Sequence, residues 1–154
     1  MVAAGGSMRV RDYMTTSVTT LLEDARLLDA ALLIRRTGKR HVPILTAEGK
    51  VAGIISDRDV SRLAPSMLAH MTPEDYNRVF EATPITVAMT KNPMIVSPDS
   101  PIADAVALLY TKKIGALLAV EDGKLVGILT VSDMLGLLNE LLTGSQTSTE
   151  ASSL

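Results

Sequence analysis

The strongest constraint on this fold is an internal repeat. Residues 53–59 read Gly-Ile-Ile-Ser-Asp-Arg-Asp, and residues 127–133 read Gly-Ile-Leu-Thr-Val-Ser-Asp. Both follow one rule: glycine, two aliphatic residues, a hydroxyl residue, two variable positions and an aspartate. Each ends a similar run of about fifty residues, and self-similarity at that period indicates repeated supersecondary units that stack to bury a core.

The two runs predict the same order of elements when Met14 is aligned with Met89. A short strand (18–22 or 94–97) precedes an amphipathic helix, for which Asp24 and Ser100 are the predicted N-caps. A hairpin follows, with strands 41–45 and 51–56 in one repeat and 116–120 and 125–130 in the other. A second helix, 59–64 or 133–142, closes each unit. The predicted class is α/β (α+β), with two pseudo-symmetric β-α-β-β-α repeats packed as one module.

The domain boundaries follow from this pattern. We predict a flexible N-terminus or expression remnant over 1–7, repeat 1 over 8–64, a linker over 65–85, repeat 2 over 86–143 and a disordered Ser/Thr-rich tail over 144–154. The linker contains a short predicted helix that Thr72 caps, with Pro73 at its first position. Tyr76, Val79 and Phe80 give that helix an apolar face.

Composition excludes several classes of protein. A net charge of -2 and a sequence pI of about 5.6 do not match the basic surface of a nucleic-acid binder. The absence of cysteine excludes disulfides and thiolate chemistry. No apolar run approaches the ~20 residues of a membrane span, so a cytoplasmic protein that does not bind membranes is expected. Because aromatic residues make up only 3%, the core is expected to be aliphatic.

Three segments of the chain resemble a tandem pair of CBS domains, also called a Bateman module. They are the opening Val10-Arg11-Asp12-Tyr13-Met14, the strand Arg40-His41-Val42-Pro43-Ile44, and the Gly-aliphatic-aliphatic-Ser/Thr-x-x-Asp ending that occurs twice. The resemblance covers residues 8–143. Residues 56–59 and 127–130 are also similar to bacterial stand-alone CBS proteins of the acetoin-utilisation type.

The resemblance implies a regulatory module without catalytic activity. Such modules bind adenosine-containing ligands (AMP, ADP, ATP or S-adenosylmethionine) and commonly form homodimers. It implies no required cofactor and no metal, and the regulated protein partner is unknown. In the family each cleft crosses the repeats: the Ser/Thr-x-x-Asp of one repeat holds the ribose, and the opening and second strand of the other flank the adenine.

Carried onto this sequence, the resemblance predicts two groups of nucleotide-binding residues. The first group is Ser56, Arg58, Asp59, Met89, Thr90, Ile114, Gly115 and Ala116. The second group is Thr130, Ser132, Asp133, Val10, Met14, Thr15, Arg40 and His41, and Lys39 is a further predicted nucleotide-binding residue.

The paired hydroxyl and carboxylate have two interpretations. An ionised carboxylate accepts hydrogen bonds from both hydroxyls of a ribose, and a neighbouring hydroxyl adds a further partner. The same spacing is also a capping pattern, in which Asp59 or Asp133 lies in the first turn of a helix. A cap can face a ligand, so the two interpretations are compatible.

The cationic residues also have two interpretations. Arg58, which has Ser132 as its counterpart, and the cluster Lys39–His41 would suit a phosphate group. The alternative is a solvated arginine at a helix start and an ordinary charged loop after a helix C-terminus.

A second function class stays open. The chain would then be a structural or protein-interaction module with vestigial clefts. Its functional surface would be the linker helix around Tyr76–Phe80 together with a leucine face of Leu137, Leu138, Leu141 and Leu142, for which core packing is the alternative. No catalytic constellation, P-loop or dinucleotide-binding glycine motif supports an enzyme.

Overall fold

The computed structural model describes residues 8–68 and 72–152, with side chains over 8–63 and 72–144. The predicted N-terminal segment 1–7 and His70 lie outside the described residues. The elements in chain order are α1 Val10–Tyr13, β1 Leu21–Leu22, α2 Leu27–Thr37, β2 His41–Leu45, β3 Val51–Ser56, α3 Asp57–Leu68, α4 Pro73–Ala82, α5 Ile85–Ala88, β4 Thr90–Lys91, β5 Ile95–Val96, α6 Ile102–Lys112, β6 Ala116–Glu121, β7 Lys124–Thr130 and α7 Val131–Ser152. The mixed α+β class with two small sheets confirms the predicted fold class.

The described chain divides into two compact units. The unit that contains Asp59 is formed by residues 18–93, with residues 122–125. The unit that contains Asp133 is formed by residues 8–17, 94–121 and 126–152. Each unit therefore combines the body of one repeat with the opening segment of the other, α5–β4 in the Asp59 unit and α1 in the Asp133 unit.

The predicted hairpins are confirmed, since β2 neighbours β3 and β6 neighbours β7. In the Asp59 unit the strand order is β1-β2-β3-β4, with β1 parallel to β2 and the remaining pairs antiparallel. In the Asp133 unit the order is β5-β6-β7, with β5 parallel to β6. Asp122 and Gly123 at the β6–β7 turn have φ of 53° and 77°, the left-handed values that a tight hairpin turn requires.

Buried side chains form one aliphatic cluster within each unit. In the Asp59 unit, α2 and the β2–β3 hairpin bury Leu27, Val42 and Ile55 together with Phe80. In the Asp133 unit the cluster includes Val10, Ala105 and Leu129. The prediction of an aliphatic core is confirmed, since Phe80 is the only aromatic residue among the buried hydrophobic side chains described.

The linker helix is confirmed, and its apolar face packs toward the core of the Asp59 unit. Thr72 Oγ1 accepts a hydrogen bond from the Asp75 N–H at 3.2 Å, as predicted for the cap. Phe80 is 1% exposed, and Tyr76 lies 4.5 Å from it between ring centroids and packs against the same core. Because α4 packs against α2, Phe80 is not available to the interaction surface that the second function class placed here, and Tyr76 and Val79 are half-buried.

The predicted caps Asp24 and Ser100 are wrong. Helix α2 begins after Arg26 and helix α6 after Pro101, because the first N–H of each helix binds a backbone carbonyl of the opening segment. The Leu27 N–H donates to Thr83 O, and the Ile102 N–H donates to Met8 O, both at 2.8 Å. A tertiary contact thus satisfies the first N–H of each helix, for which the sequence predicted a capping side chain.

The closing helices are longer than predicted. Helix α3 runs Asp57–Leu68, and α7 runs Val131–Ser152, through most of the segment for which composition predicted disorder. Leucines continue α7 beyond residue 137, and no proline follows to end it. Within the described ranges, no helix is both long enough and apolar enough to cross a bilayer.

Candidate functional site

The Asp59 carboxylate is held where β3 passes directly into α3. The Ser56 N–H donates to Asp59 Oδ2 at 2.8 Å, and the Ser56 hydroxyl donates to the same oxygen at 3.0 Å. The Asp59 N–H is in turn 3.2 Å from Ser56 Oγ. This reciprocal arrangement is a capping box, so the capping interpretation is confirmed.

The second oxygen of Asp59 has a looser partner. Asp59 Oδ1 lies 3.6 Å from Nη2 of Arg62, whose side chain is 76% exposed, whereas the Asp59 side chain is 12% exposed. A cavity of about 100 Å³ lies here, lined by Asp59, Arg62, Leu63, Val87 and Ala88. The Asp59 carboxylate is thus mostly shielded from solvent. Its Oδ1 faces the exposed, flexible side chain of Arg62.

The Asp133 carboxylate has the same cap and one further partner. The Thr130 N–H donates to Asp133 Oδ2 at 2.9 Å, and the Asp133 N–H donates to Thr130 Oγ1 at 3.1 Å. The Thr15 hydroxyl of the opening segment donates to Asp133 Oδ1 at 3.3 Å. Both carboxylate oxygens therefore have protein donors.

The cap alone does not single out these two aspartates. The same bond, from a backbone N–H to the carboxylate three residues later, joins Arg9 to Asp12 and Arg26 to Asp29. Those two pairs are exposed, whereas the bonds to Asp59 and Asp133 are partly buried and include a hydroxyl residue. Partial burial and the hydroxyl group distinguish the candidate sites from ordinary helix starts.

In each unit a methionine of the opening segment packs against a glycine of β3 or β7, a contact that the sequence analysis did not predict. A Cβ on Gly53 would lie 2.7 Å from Met89 Sδ, and a Cβ on Gly127 would lie 2.8 Å from Met14 Cγ. Thr15 and Thr90 then pair with Ile128 and Ile54, respectively. The signal was present in the sequence, because Met14 aligns with Met89 in the openings and Gly53 aligns with Gly127 in the endings.

Basic residues gather at the Asp59 corner. The Asp57 N–H donates to Arg40 O at 3.0 Å, and His41 is paired with Ser56 across the hairpin. Lys39, Arg40 and Arg58 are exposed, and none of them forms a salt bridge with a described side chain. Burial lowers the pKa of His41 below its ordinary 6.5, although Asp57 and Asp59 act in the opposite direction.

The same positions at the Asp133 corner are neutral. Ile114, Gly115 and Ala116 replace the basic cluster, and the Val131 N–H donates to Gly115 O at 3.0 Å. An open apolar groove of about 750 Å³ lies beside this corner, between α6 and α7. Its lining residues are Val106, Leu109, Tyr110, Thr111, Lys113, Ile114, Val131 and Met134.

The predicted site residues therefore fall into two sets within the units. The Asp59 unit contains Lys39, Arg40, His41, Ser56, Arg58, Asp59, Met89 and Thr90, and the Asp133 unit contains Val10, Met14, Thr15, Ile114, Gly115, Ala116, Thr130, Ser132 and Asp133. Within a unit, each aspartate lies with the methionine and threonine of the opening that was predicted to accompany it. The assignment of both sets to nucleotide binding stays a prediction.

A family model for the CBS domain matches residues 10–66 and 84–140. The chain belongs to the CBS-domain family. The two matches confirm the tandem pair. A CBS domain-containing protein of Dictyostelium discoideum is 28% identical over 134 residues, which cover 86% of this chain and 92% of that protein. The chain spans only 15–25% of the next three curated relatives it matches.

Solved structures give the same assignment. A protein assigned to acetoin utilization (AcuB) from Vibrio cholerae is 32% identical, with a TM-score of 0.76 over 92% of this CBS chain and 97% of that one. CBSX2 in complex with AMP is 24% identical, with a TM-score of 0.72 over 86% and 97% of the two chains. The CBS domain pair of protein MJ0100, in complex with 5'-methylthioadenosine and S-adenosyl-L-methionine, is 22% identical, with a TM-score of 0.71 over 86% and 97%.

Proposed function

We propose that this CBS pair is a regulatory module that binds an adenosine-containing ligand through Asp59 and Asp133. The observation that carries the proposal is the pair of partly buried carboxylates, each held rigidly through Oδ2 by a capping backbone N–H. A carboxylate fixed in this way accepts hydrogen bonds from a sugar diol without losing further side-chain entropy. AMP, 5'-methylthioadenosine and S-adenosylmethionine, which occupy two of the similar structures, share a ribose of this kind.

The charge around the two aspartates supports different phosphate preferences. Lys39, Arg40 and Arg58 are exposed at the Asp59 corner, where a guanidinium can form a bidentate contact with phosphate. The corresponding positions at the Asp133 corner are uncharged. We propose that a phosphorylated nucleotide is preferred at Asp59. Regulation would then follow from the ligand's differential affinity for two conformations of the module, transmitted to a protein partner of unknown identity.

Calorimetric titration of ligand-stripped protein with adenosine, AMP and S-adenosylmethionine tests the proposal. Each of Asp59→Asn and Asp133→Asn is expected to weaken binding at its own site by about 10- to 100-fold, since hydrogen bonds to a charged group are lost. Asp29→Asn is the matched control, because Asp29 caps its helix through the same 2.8 Å bond away from either site. Absence of binding at millimolar ligand, or equal losses in all three variants, would contradict the proposal.

A second copy of this chain is the partner that the surface supports best. Tyr110 on α6 is 83% exposed although it lines the apolar groove, and Leu135, Leu138 and Leu142 on α7 are also exposed. In the predicted leucine face, only Leu137 is buried, so core packing explains that residue and not the rest of the face. A surface that carries both a projecting aromatic ring and an apolar recess can pair with itself about a two-fold axis, so we propose a homodimer through α6 and α7.

Sedimentation velocity tests the homodimer. Tyr110→Arg, which introduces the residue found at the corresponding position 35, is expected to raise the dimer dissociation constant at least about tenfold. Val87→Arg is the control, because Val87 is 67% exposed on α5 in the other unit. A monomeric wild type, or an equal effect of both variants, would refute this assignment.

A further inference from the structure

The two aspartates differ in what occupies their second oxygen. Asp133 Oδ1 accepts the Thr15 hydroxyl at 3.3 Å, whereas Asp59 Oδ1 lies opposite Arg62 at 3.6 Å. Thr90 is the counterpart of Thr15, and within the described side chains it makes no hydrogen bond to Asp59. Thr90 is exposed, while Thr15 is half-buried.

The backbone holds Thr15 beside the carboxylate. The Thr15 N–H donates to Ile128 O at 2.9 Å, and the Ile128 N–H donates to Thr15 O at 3.0 Å. Met14, the preceding residue, packs so closely on Gly127 that it fills the space a Cβ there would need. The Thr15 hydroxyl donates its one proton to Asp133 Oδ1. Relative to the carboxylate, it therefore lies where a donating hydroxyl of a ligand would lie.

We propose that Thr15 is an internal substitute for a ligand hydroxyl and makes the Asp133 site the weaker of the two. The inference rests on the proposed function, since it concerns the affinity of the same carboxylates for a sugar diol. A diol hydroxyl that approaches Asp133 Oδ1 from the side that Thr15 occupies displaces the threonine, so its gain there is the difference between two similar hydrogen bonds. At Asp59 the diol displaces only a solvated arginine contact, which contributes little. The two sites therefore fill in order, Asp59 first.

The test isolates the Asp133 site with Asp59→Asn and uses adenosine, which has the diol but no phosphate. In that background Thr15→Val, which keeps the side-chain shape and removes the hydroxyl, is expected to tighten adenosine binding about 5- to 10-fold. Thr15→Ser restores the hydroxyl and is expected to restore the weaker affinity. Thr16→Val, at the exposed neighbouring position, is the control and is expected to leave the affinity unchanged.

The outcomes separate the inference from the proposed function. If Thr15→Val leaves adenosine binding unchanged or weakens it while Asp133→Asn still weakens that binding, the inference is overturned and the proposed function stands. If adenosine fails to bind, or binds regardless of both aspartates, the proposed function fails and this inference with it. Thermal unfolding of each variant verifies the fold, and Thr15→Ala serves in place of Thr15→Val if valine is not tolerated.

Discussion

The Ser56–Asp59 corner and the Thr130–Asp133 corner have the same backbone frame but different charge. In both units the first N–H of the long helix donates a hydrogen bond to a carbonyl of the opening segment. The Leu27 N–H donates to Thr83 O and the Ile102 N–H donates to Met8 O, both at 2.8 Å. Around that frame the cations of the Asp59 corner are replaced by Ile114, Gly115 and Ser132. Because backbone bonds and a glycine–methionine contact position both aspartates, the flanking side chains are able to diverge without loss of the fold.

The largest expected effect tests whether the two frames tolerate the same change. A Cβ on Gly53 would lie 2.7 Å from the Thr90 carbonyl oxygen as well as from Met89 Sδ, whereas the three atoms nearest to a Cβ on Gly127 all belong to the flexible Met14 side chain. Gly53→Ala is therefore expected to lower the free energy of unfolding by about 2–3 kcal/mol and Gly127→Ala by about 1 kcal/mol. Urea unfolding of both variants measures the difference.

Gly136→Ala is the control for this prediction. Gly136 is exposed in α7 with no neighbouring atom within 4 Å of an added Cβ, so alanine is expected to stabilise the helix by up to about 1 kcal/mol. Equal destabilisation at Gly53 and Gly127 would show that the backbone oxygen yields as easily as a methionine side chain, and the frames would then be equivalent in this respect.

An intermediate effect is expected when a cation of the Asp59 corner is exchanged for its neutral counterpart. Arg58→Ser introduces the residue found at position 132 and is expected to weaken AMP binding at Asp59 about 5- to 10-fold, with a smaller change for adenosine, because only AMP has a phosphate. Calorimetric titration with both ligands gives the ratio. Arg78→Ser, on α4 beside Asp75, removes an exposed arginine elsewhere. A similar loss for AMP and adenosine would remove Arg58 from phosphate recognition.

Periodicity and turn chemistry predicted the central part of each unit. The bounds of β2 and β3, and the left-handed turn at Asp122–Gly123, match the predictions because a hairpin is a local structure. The short elements were missed: α1 and α5 have four residues each and β4 has two, which is too few for a period to appear. The exchange of openings between units depends on those short elements, and the family resemblance predicted it where the repeat pattern alone did not.

In the candidate site, too, the locally encoded features were predicted and the long-range contacts were not all predicted. The Ser/Thr-x-x-Asp corners were predicted correctly as helix starts, because a capping box is encoded by four adjacent residues. The resemblance placed Arg40 and His41 in a different group from Ser56. The structure pairs His41 with Ser56, because an antiparallel hairpin brings the start of β2 beside the end of β3. The resemblance grouped Thr15 with Asp133, but the hydrogen bond between these distant residues is seen only in the folded chain.

The smallest expected effect concerns His41, whose counterpart Ala116 does not titrate. Burial lowers the pKa of His41 in the folded chain below the ordinary 6.5, with Arg40 and Arg58 acting in the same direction and Asp57 and Asp59 against it. Below pH 6.5 the unfolded chain therefore binds a proton that the folded chain does not, so the stability present above 6.5 is lost as the pH falls toward the folded pKa. Solvent reaches part of the ring, and screening keeps this loss small. Urea unfolding between pH 5.5 and 7.5 is expected to show this extra loss in the wild type relative to His41→Gln, and a difference of opposite sign would mean that Asp57 and Asp59 outweigh burial.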